Sequence, residues 1–160
     1  MKIRFAFTLG FFAALLPLAV SAESEKAPGP NVVVIFVDDL GWTDLGCYGS
    51  KFHETPHIDR LAKQGAVFTR AYSSCNVCSP TRASLLTGKY PQRMGFTNYL
   101  NPRNPDGPNS AATHLPVGET TLGEAFQQAG YRTGYIGKWH VGSEKIGMPK
   151  QHGFDWQMAT

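Results

Sequence analysis

Three short stretches of this 160-residue chain carry side chains able to do chemistry. In "CSPTR", residues 78–82, a thiol, a proline and an arginine are spaced so that a helix would gather them. Pro80 suits a helix's first turn, which puts Cys78 at the N-terminus, where free N–H groups and the helix dipole favour an anion. Arg82 follows at i+4 and so lies on the same face. A reactive group and a fixed cation would then meet one anion. The second stretch is the adjacent pair Asp38 and Asp39. It reads either as a hard-cation site, whose oxygen donors favour Ca²⁺ or Mg²⁺ over zinc, or as a solvated turn opening "DDLGWTDLG". The third is "GKWHVG", where Lys138 and His140 stand two apart. In an extended segment they point the same way, unless each is simply a surface side chain after a strand.

Cys75 and Cys78 invite two further readings. A thioredoxin-like redox pair would normally precede its helix in a much smaller domain. A zinc site needs more ligands, and the sequence has no second Cys-x-x-Cys. With Cys47 the count is three, so one disulfide would leave a thiol over. Cys47 and Cys75 fit small buried residues.

Holding these groups in place takes an α/β scaffold. "NVVVIFV", residues 31–37, is an unbroken apolar run that predicts a strand buried on both faces, with Asp38 and Asp39 at its carboxyl end, where open α/β sheets bind ligands. "TPHIDRLAKQG" predicts a helix, with Thr55 as N-cap, Pro56 in the first turn, Ile58, Leu61 and Ala62 on one face, and Gly65 as the stop. "AVFTRAY", residues 66–72, predicts a second strand and thus a right-handed βαβ unit. A short helix through "PTRASLLT" closes at Gly88. Residues 99–119 form an irregular stretch with Pro102, Pro105, Pro108 and Pro116, of a length that is usually either functional, here as a border to the pocket, or disordered. Thr121 and Glu124 make a capping box for "LGEAFQQA", Gly130 stops that helix, and "YRTGYIG" predicts a third strand. Three parallel strands are fewer than a doubly wound sheet carries, so the pattern reads as the opening part of a larger domain. His53 and His57 fit the surface, and His114 and His152 fit polar loops. Trp42, Tyr48, Trp139 and Trp156 fit packing roles.

Residues 1–22 read as a signal peptide, with Lys2 and Arg4 ahead of an apolar run through residue 20 and Val20-Ser21-Ala22 as the cleavage site. That run is short of the roughly 20 residues that span a bilayer comfortably. Residues 23–30 read as a linker and residues 31–160 as the start of a catalytic domain. Removing Lys2 and Arg4 takes 15 basic residues to 13, against 12 acidic ones. No Lys/Arg run or basic stripe remains, which argues against nucleic acid. The expected product is exported, periplasmic or secreted, without a membrane span after cleavage.

Taken in order, "NVVVIFVDDLGWTDLGCYG", "TPHIDRLAKQGAVFTRAY", "CSPTRASLLTG" and "GYRTGYIGKWHVG" resemble the formylglycine-dependent sulfatase family of the alkaline-phosphatase-like superfamily. The resemblance runs from about residue 31 to the end of the sequence. It implies an α/β sandwich with a mostly parallel sheet flanked by helices, of which these residues are an incomplete N-terminal part. It implies that a separate maturation enzyme converts Cys78 to formylglycine, whose hydrated aldehyde is the nucleophile. It implies a divalent cation, usually Ca²⁺ with Mg²⁺ as the other candidate, held by Asp38, Asp39 and residue 78. Arg82, Lys138 and His140 would complete this half of the pocket, and the substrate would be a sulfated small molecule or glycan.

The chemistry is coherent with that resemblance. A sulfate monoester repels nucleophiles, so cations must neutralise its sulfuryl oxygens and hold them in line with the attacking oxygen. A gem-diol has a second hydroxyl whose deprotonation expels sulfate; a serine at position 78 lacks it and would stall. In the family an Asp, an Asn, a second His and a second Lys come from later in the chain, beyond Thr160. Two carboxylates and residue 78 leave Ca²⁺ short of its roughly six to eight oxygens, so residues 1–160 alone are expected to be inactive. Unpaired sheet edges are expected to favour aggregation. A phosphonate or phosphodiester hydrolase, a non-catalytic truncated product, and a Cys75/Cys78 oxidoreductase are the competing functions.

Overall fold

The computed structural model describes residues 29–101, 112–143 and 145–160. Three helices and one small sheet organise them: α1 (Pro56–Gln64), α2 (Cys78–Thr87), α3 (Leu122–Gln128), β1 (Gly134–Gly137) and β2 (Trp156–Ala159). Single 3₁₀ turns stand at Gly46–Tyr48, Pro91–Met94 and Pro149–His152. The expected signal peptide, and all of the linker but its last two residues, lie outside the described residues. None of the described helices is long and apolar enough to cross a membrane.

Local signals formed the helices. α2 ends at Gly88, which has φ 68° and bonds back to Ser84 O, a left-handed cap that glycine adopts without strain. α3 carries the full capping box: Thr121 Oγ1 accepts from Glu124 N at 3.3 Å and Glu124 Oε2 accepts from Thr121 N at 2.8 Å. The Thr121 hydroxyl also donates to His152 O at 2.7 Å, tying the 3₁₀ turn before β2 to the start of α3. Gly123 is required there, because a Cβ would come within 2.5 Å of that carbonyl. Thr55 sits at the N-cap of α1 but its hydroxyl does not cap the helix. It accepts from Gly46 N and donates to Asp59, while Asp59 accepts from Cys47 N, so both side chains serve the preceding turn.

The strands differ from expectation. β1 and β2 pair in parallel, with Gly134 opposite Trp156 and Ile136 opposite Met158. β1 is the core of the predicted third strand, whereas β2 falls where no element was expected. Residues 31–37 and 66–72 are not strands, and the predicted βαβ unit does not form. A strand exists through its ladder, and residues 31–37 stand across a cavity of about 780 Å³ from β1 instead of alongside it. Val33 and Ile35 are 82% and 79% exposed, the reverse of a strand buried on both faces.

The core is local and lies beneath the site. Ala83 and Leu86 of α2 pack with Met94, Phe96, Leu100, Leu115, Trp139 and Val141. Trp139 is buried as expected, its indole N–H donating to Gly147 O at 2.5 Å, with Tyr135 edge-on at 4.9 Å. Trp42, 80% exposed, does not pack, and Trp156 is half exposed. His53 and His57 are at the surface. His152, expected in a polar loop, is fully buried against Trp139.

Candidate active site

Cys78 is the first residue of α2, after an extended Val77 whose side chain offers no cap. That leaves the helix's first turn open toward the position the thiol occupies. The thiol does not pair with Cys75, and all three cysteines are free in this structure. Instead Cys78 Sγ lies 3.2 Å from His140 Nδ1. The other imidazole nitrogen, Nε2, lies 2.8 Å from Leu100 O. A carbonyl oxygen only accepts, so Nε2 carries the proton of the neutral ring and Nδ1 accepts from the thiol.

Leu100 is itself fixed. Its N–H donates to the buried hydroxyl of Ser79 at 2.9 Å. The residue after the thiol therefore positions the carbonyl that orients the thiol's imidazole partner.

One turn along α2, Arg82 is buried and spends its guanidinium on three groups. Nη2 donates to Asp38 Oδ1 at 3.0 Å, and Nη1 to Lys138 O at 2.5 Å and the Tyr135 hydroxyl at 3.4 Å. Its Nε has no partner, and its charge stands 5.1 Å over the Phe36 ring. Lys138 Nζ takes the second carboxylate oxygen, donating to Asp38 Oδ2 at 2.6 Å. Asp38 is thus gripped by two cations that stand 56 residues apart in the sequence.

The charges respond accordingly. The hydrogen bond from Lys138, then that from Arg82, holds Asp38 below the ordinary carboxylate range. The same bond to Asp38 raises Lys138 above an ordinary lysine, and the Cys78 position adds to the rise. Burial pushes the Tyr135 hydroxyl up.

Lys138 and His140 do converge on one region, though not as two residues of a plain extended strand. Trp139 between them turns into the core, and His140 has φ 53°. Asp39, with φ 54°, is the other non-glycine residue with positive φ among the described residues. Left-handed backbone is uncommon for such residues, and here both instances flank the site. Asp39 is exposed.

The structure thus joins Asp38, Arg82 and Lys138 directly, and Cys78 to His140, with α2 linking the two groups. The acidic pair has the oxygen donors of a hard-cation site, but among the described residues no three His, Cys, Asp or Glu side chains cluster. Donor type fits a hard divalent cation; donor number does not reach roughly six. Tyr135, Ser79 and the Leu100 carbonyl are participants that sequence reasoning missed. Ser79 sits inside the motif already singled out, while a carbonyl partner leaves no trace in residue type.

Comparison with known proteins now has a site to bear on. The sequence model of the sulfatase family matches residues 30–160. The chain belongs to the sulfatase family. It is 44% identical to N-acetylgalactosamine-6-sulfatase of Rattus norvegicus over 145 residues, 88% of this chain and 28% of that protein. It is 44% identical to arylsulfatase A of Bos taurus over 142 residues, 87% of this chain and 27% of that one. Among solved structures, the PsFucS1 sulfatase from Pseudoalteromonas sp. superposes with a TM-score of 0.64 at 38% identity, over 77% of this chain and 24% of that chain. Ps i-CgsB, solved in complex with k-i-k-neocarrahexaose, gives 0.67 at 35% identity, over 76% and 26%. The small parallel sheet and its helices are part of the α/β sulfatase fold. This sulfatase-family chain spans just over a quarter of the length of these curated relatives.

Proposed function

We propose that this chain supplies the nucleophile-bearing part of an exported sulfuric ester hydrolase acting on a sulfated small molecule or glycan. The observation that carries the reading is the placement of Cys78 at the open start of α2, in hydrogen-bond contact with His140 and one turn from Arg82. Sulfatase relatives covering most of this chain support it. The full reaction belongs to a longer protein than residues 1–160.

In this reading a maturation enzyme converts Cys78 to formylglycine, which supplies a hydrated aldehyde oxygen in place of the thiol. Asp38, Asp39 and residue 78, together with ligands from the rest of the protein, would hold a divalent cation, Ca²⁺ or Mg²⁺, whose charge would offset that of the sulfuryl oxygens. Lys138 and the first turn of α2 face the anion and neutralise its oxygens. Arg82 holds Asp38 and the Lys138 carbonyl, and so fixes the distance between the acidic pair and the α2 N-terminus. His140, with its proton fixed on Nε2 by Leu100, presents Nδ1 to the atom at position 78 and can take or return a proton there. Export rests on residues 1–22.

The test is the mass of the Cys78 peptide from protein made in its native host, with turnover of an aryl sulfate and an aryl phosphodiester by the full-length protein. An aldehyde at position 78 and preference for the sulfate support the reading. A free thiol, or preference for the phosphodiester, overturns it.

A further inference from the structure

We infer that Tyr99 is a specificity-determining wall of this site, stacking the apolar face of a pyranose ring in the alcohol half of the ester; the inference rests on the sulfatase reading. The Cys78 contacts, Lys138 and the α2 N-terminus account for the anionic half of a sulfate ester. None of them offers a surface to the alcohol half.

Tyr99 does. Its ring centroid is 6.4 Å from that of His140 with the planes tilted by 46°, so it stands one ring away from the Cys78 thiol. The ring is 44% exposed, although the next residue, Leu100, belongs to the buried core. Its backbone is held rather than loose. Leu100 N–H is bound by Ser79 and Leu100 O by His140, while Tyr99 N–H donates to Asn98 Oδ1 at 2.8 Å. The backbone that carries the ring is therefore registered on residues 79 and 140, the neighbours of the nucleophile, and the ring is left exposed.

An exposed tyrosine on a fixed backbone has only about two side-chain torsions to order on binding, and it presents a flat apolar face with a polar tip. The C–H face of a pyranose has the shape to lie on it. A straight alkyl chain has no such face.

The experiment takes full-length protein with Tyr99→Leu and Tyr99→Phe, assayed on a hexose monosulfate and a straight-chain alkyl sulfate. Equilibrium binding of the hexose sulfate is measured in parallel on protein whose Cys78 is unconverted. Tyr99→Leu is expected to raise KM and Kd for the hexose sulfate about tenfold with kcat within about threefold. Tyr99→Phe is expected to keep both values near wild type, and neither variant to move the alkyl sulfate. Equal losses on both esters, a Phe variant as poor as Leu, or no change in binding overturns the role of Tyr99. Wild-type protein that hydrolyses neither ester overturns the sulfatase reading instead, and the binding arm still decides Tyr99.

Discussion

The thiol of Cys78 and Nδ1 of His140 stand 3.2 Å apart across 62 residues of sequence, and the far side of the imidazole is held by Leu100 O. This orients the ring through a backbone carbonyl, where many catalytic histidines use a carboxylate. A carbonyl fixes the tautomer without adding negative charge. We predict that His140→Ala in the full-length protein lowers kcat on an aryl sulfate about 10²- to 10³-fold with KM within about threefold, as expected for a group acting at the reacting atom. Steady-state kinetics checks it, and an unchanged kcat removes His140 from the reaction.

Arg82 reaches a carboxylate, a carbonyl and a phenol at once, from a side chain only 6% exposed. A lysine keeps the charge but not the planar fork. Arg82→Lys is expected to lower unfolding stability by about 1–3 kcal/mol, the range for lost hydrogen bonds to charged groups. Urea unfolding of both proteins measures it; a difference inside error means that the grip on Asp38 does not hold the fold together.

The Asp38–Lys138 contact gives a pH window with two edges. Asp38 titrates below its ordinary value, so its contribution is present above the unfolded carboxylate's pKa and fades as pH falls through the folded one. Lys138 titrates above its ordinary value, so its contribution is complete below the unfolded lysine's pKa and fades as pH rises through the folded one. The difference in Tm between wild type and Lys138→Met is therefore expected to be largest between about pH 5 and pH 9 and to shrink outside it. A difference that is flat with pH would assign the effect to packing of the lysine stem.

What could be read from residue order was local or motif-bound. The α2 helix, its Gly88 stop, the Thr121/Glu124 box and the pairing of Arg82 with the nucleophile's face all depend on residues within a turn or two. Residues 31–37 and 66–72 have strand composition, but a ladder needs a paired strand, and among the described residues only β1 and β2 pair as strands. β2 escaped because Trp156–Ala159 is only four residues long and has no β-branched side chain. The positive φ of His140, the Leu100 carbonyl and the burial of His152 depend on tertiary placement that residue type does not encode.

His152 is fully buried, no hydrogen bond of good geometry reaches either ring nitrogen, and burial pushes its pKa below the ordinary histidine value against the raising effect of Glu124 and of contact with the Leu115 backbone. Glu124 and His114 face it, with opposing effects on its charge. Stability contributed by keeping this ring neutral is present above the unfolded histidine's pKa and declines as pH falls through it. Wild-type Tm should therefore drop between about pH 7 and pH 5 more steeply than that of His152→Gln. Parallel curves would mean that the proton-sensitive group lies elsewhere.

Both oxygens of Asp38 are occupied by Arg82 and Lys138, and no third acidic, His or Cys ligand joins Asp38 and Asp39 among the described residues. A cation entering here must compete with the Lys138 ammonium for one oxygen and gains few others in return. Isolated residues 23–160 are therefore expected to bind Ca²⁺ more weakly than about 1 mM by titration calorimetry, and to show no turnover of an aryl sulfate. Full-length protein is expected to lose activity to a chelator and regain it with Ca²⁺ or Mg²⁺. Micromolar Ca²⁺ binding by the isolated segment would mean that Asp38 releases Lys138 without help from residues outside it, and that the acidic pair is already a competent site.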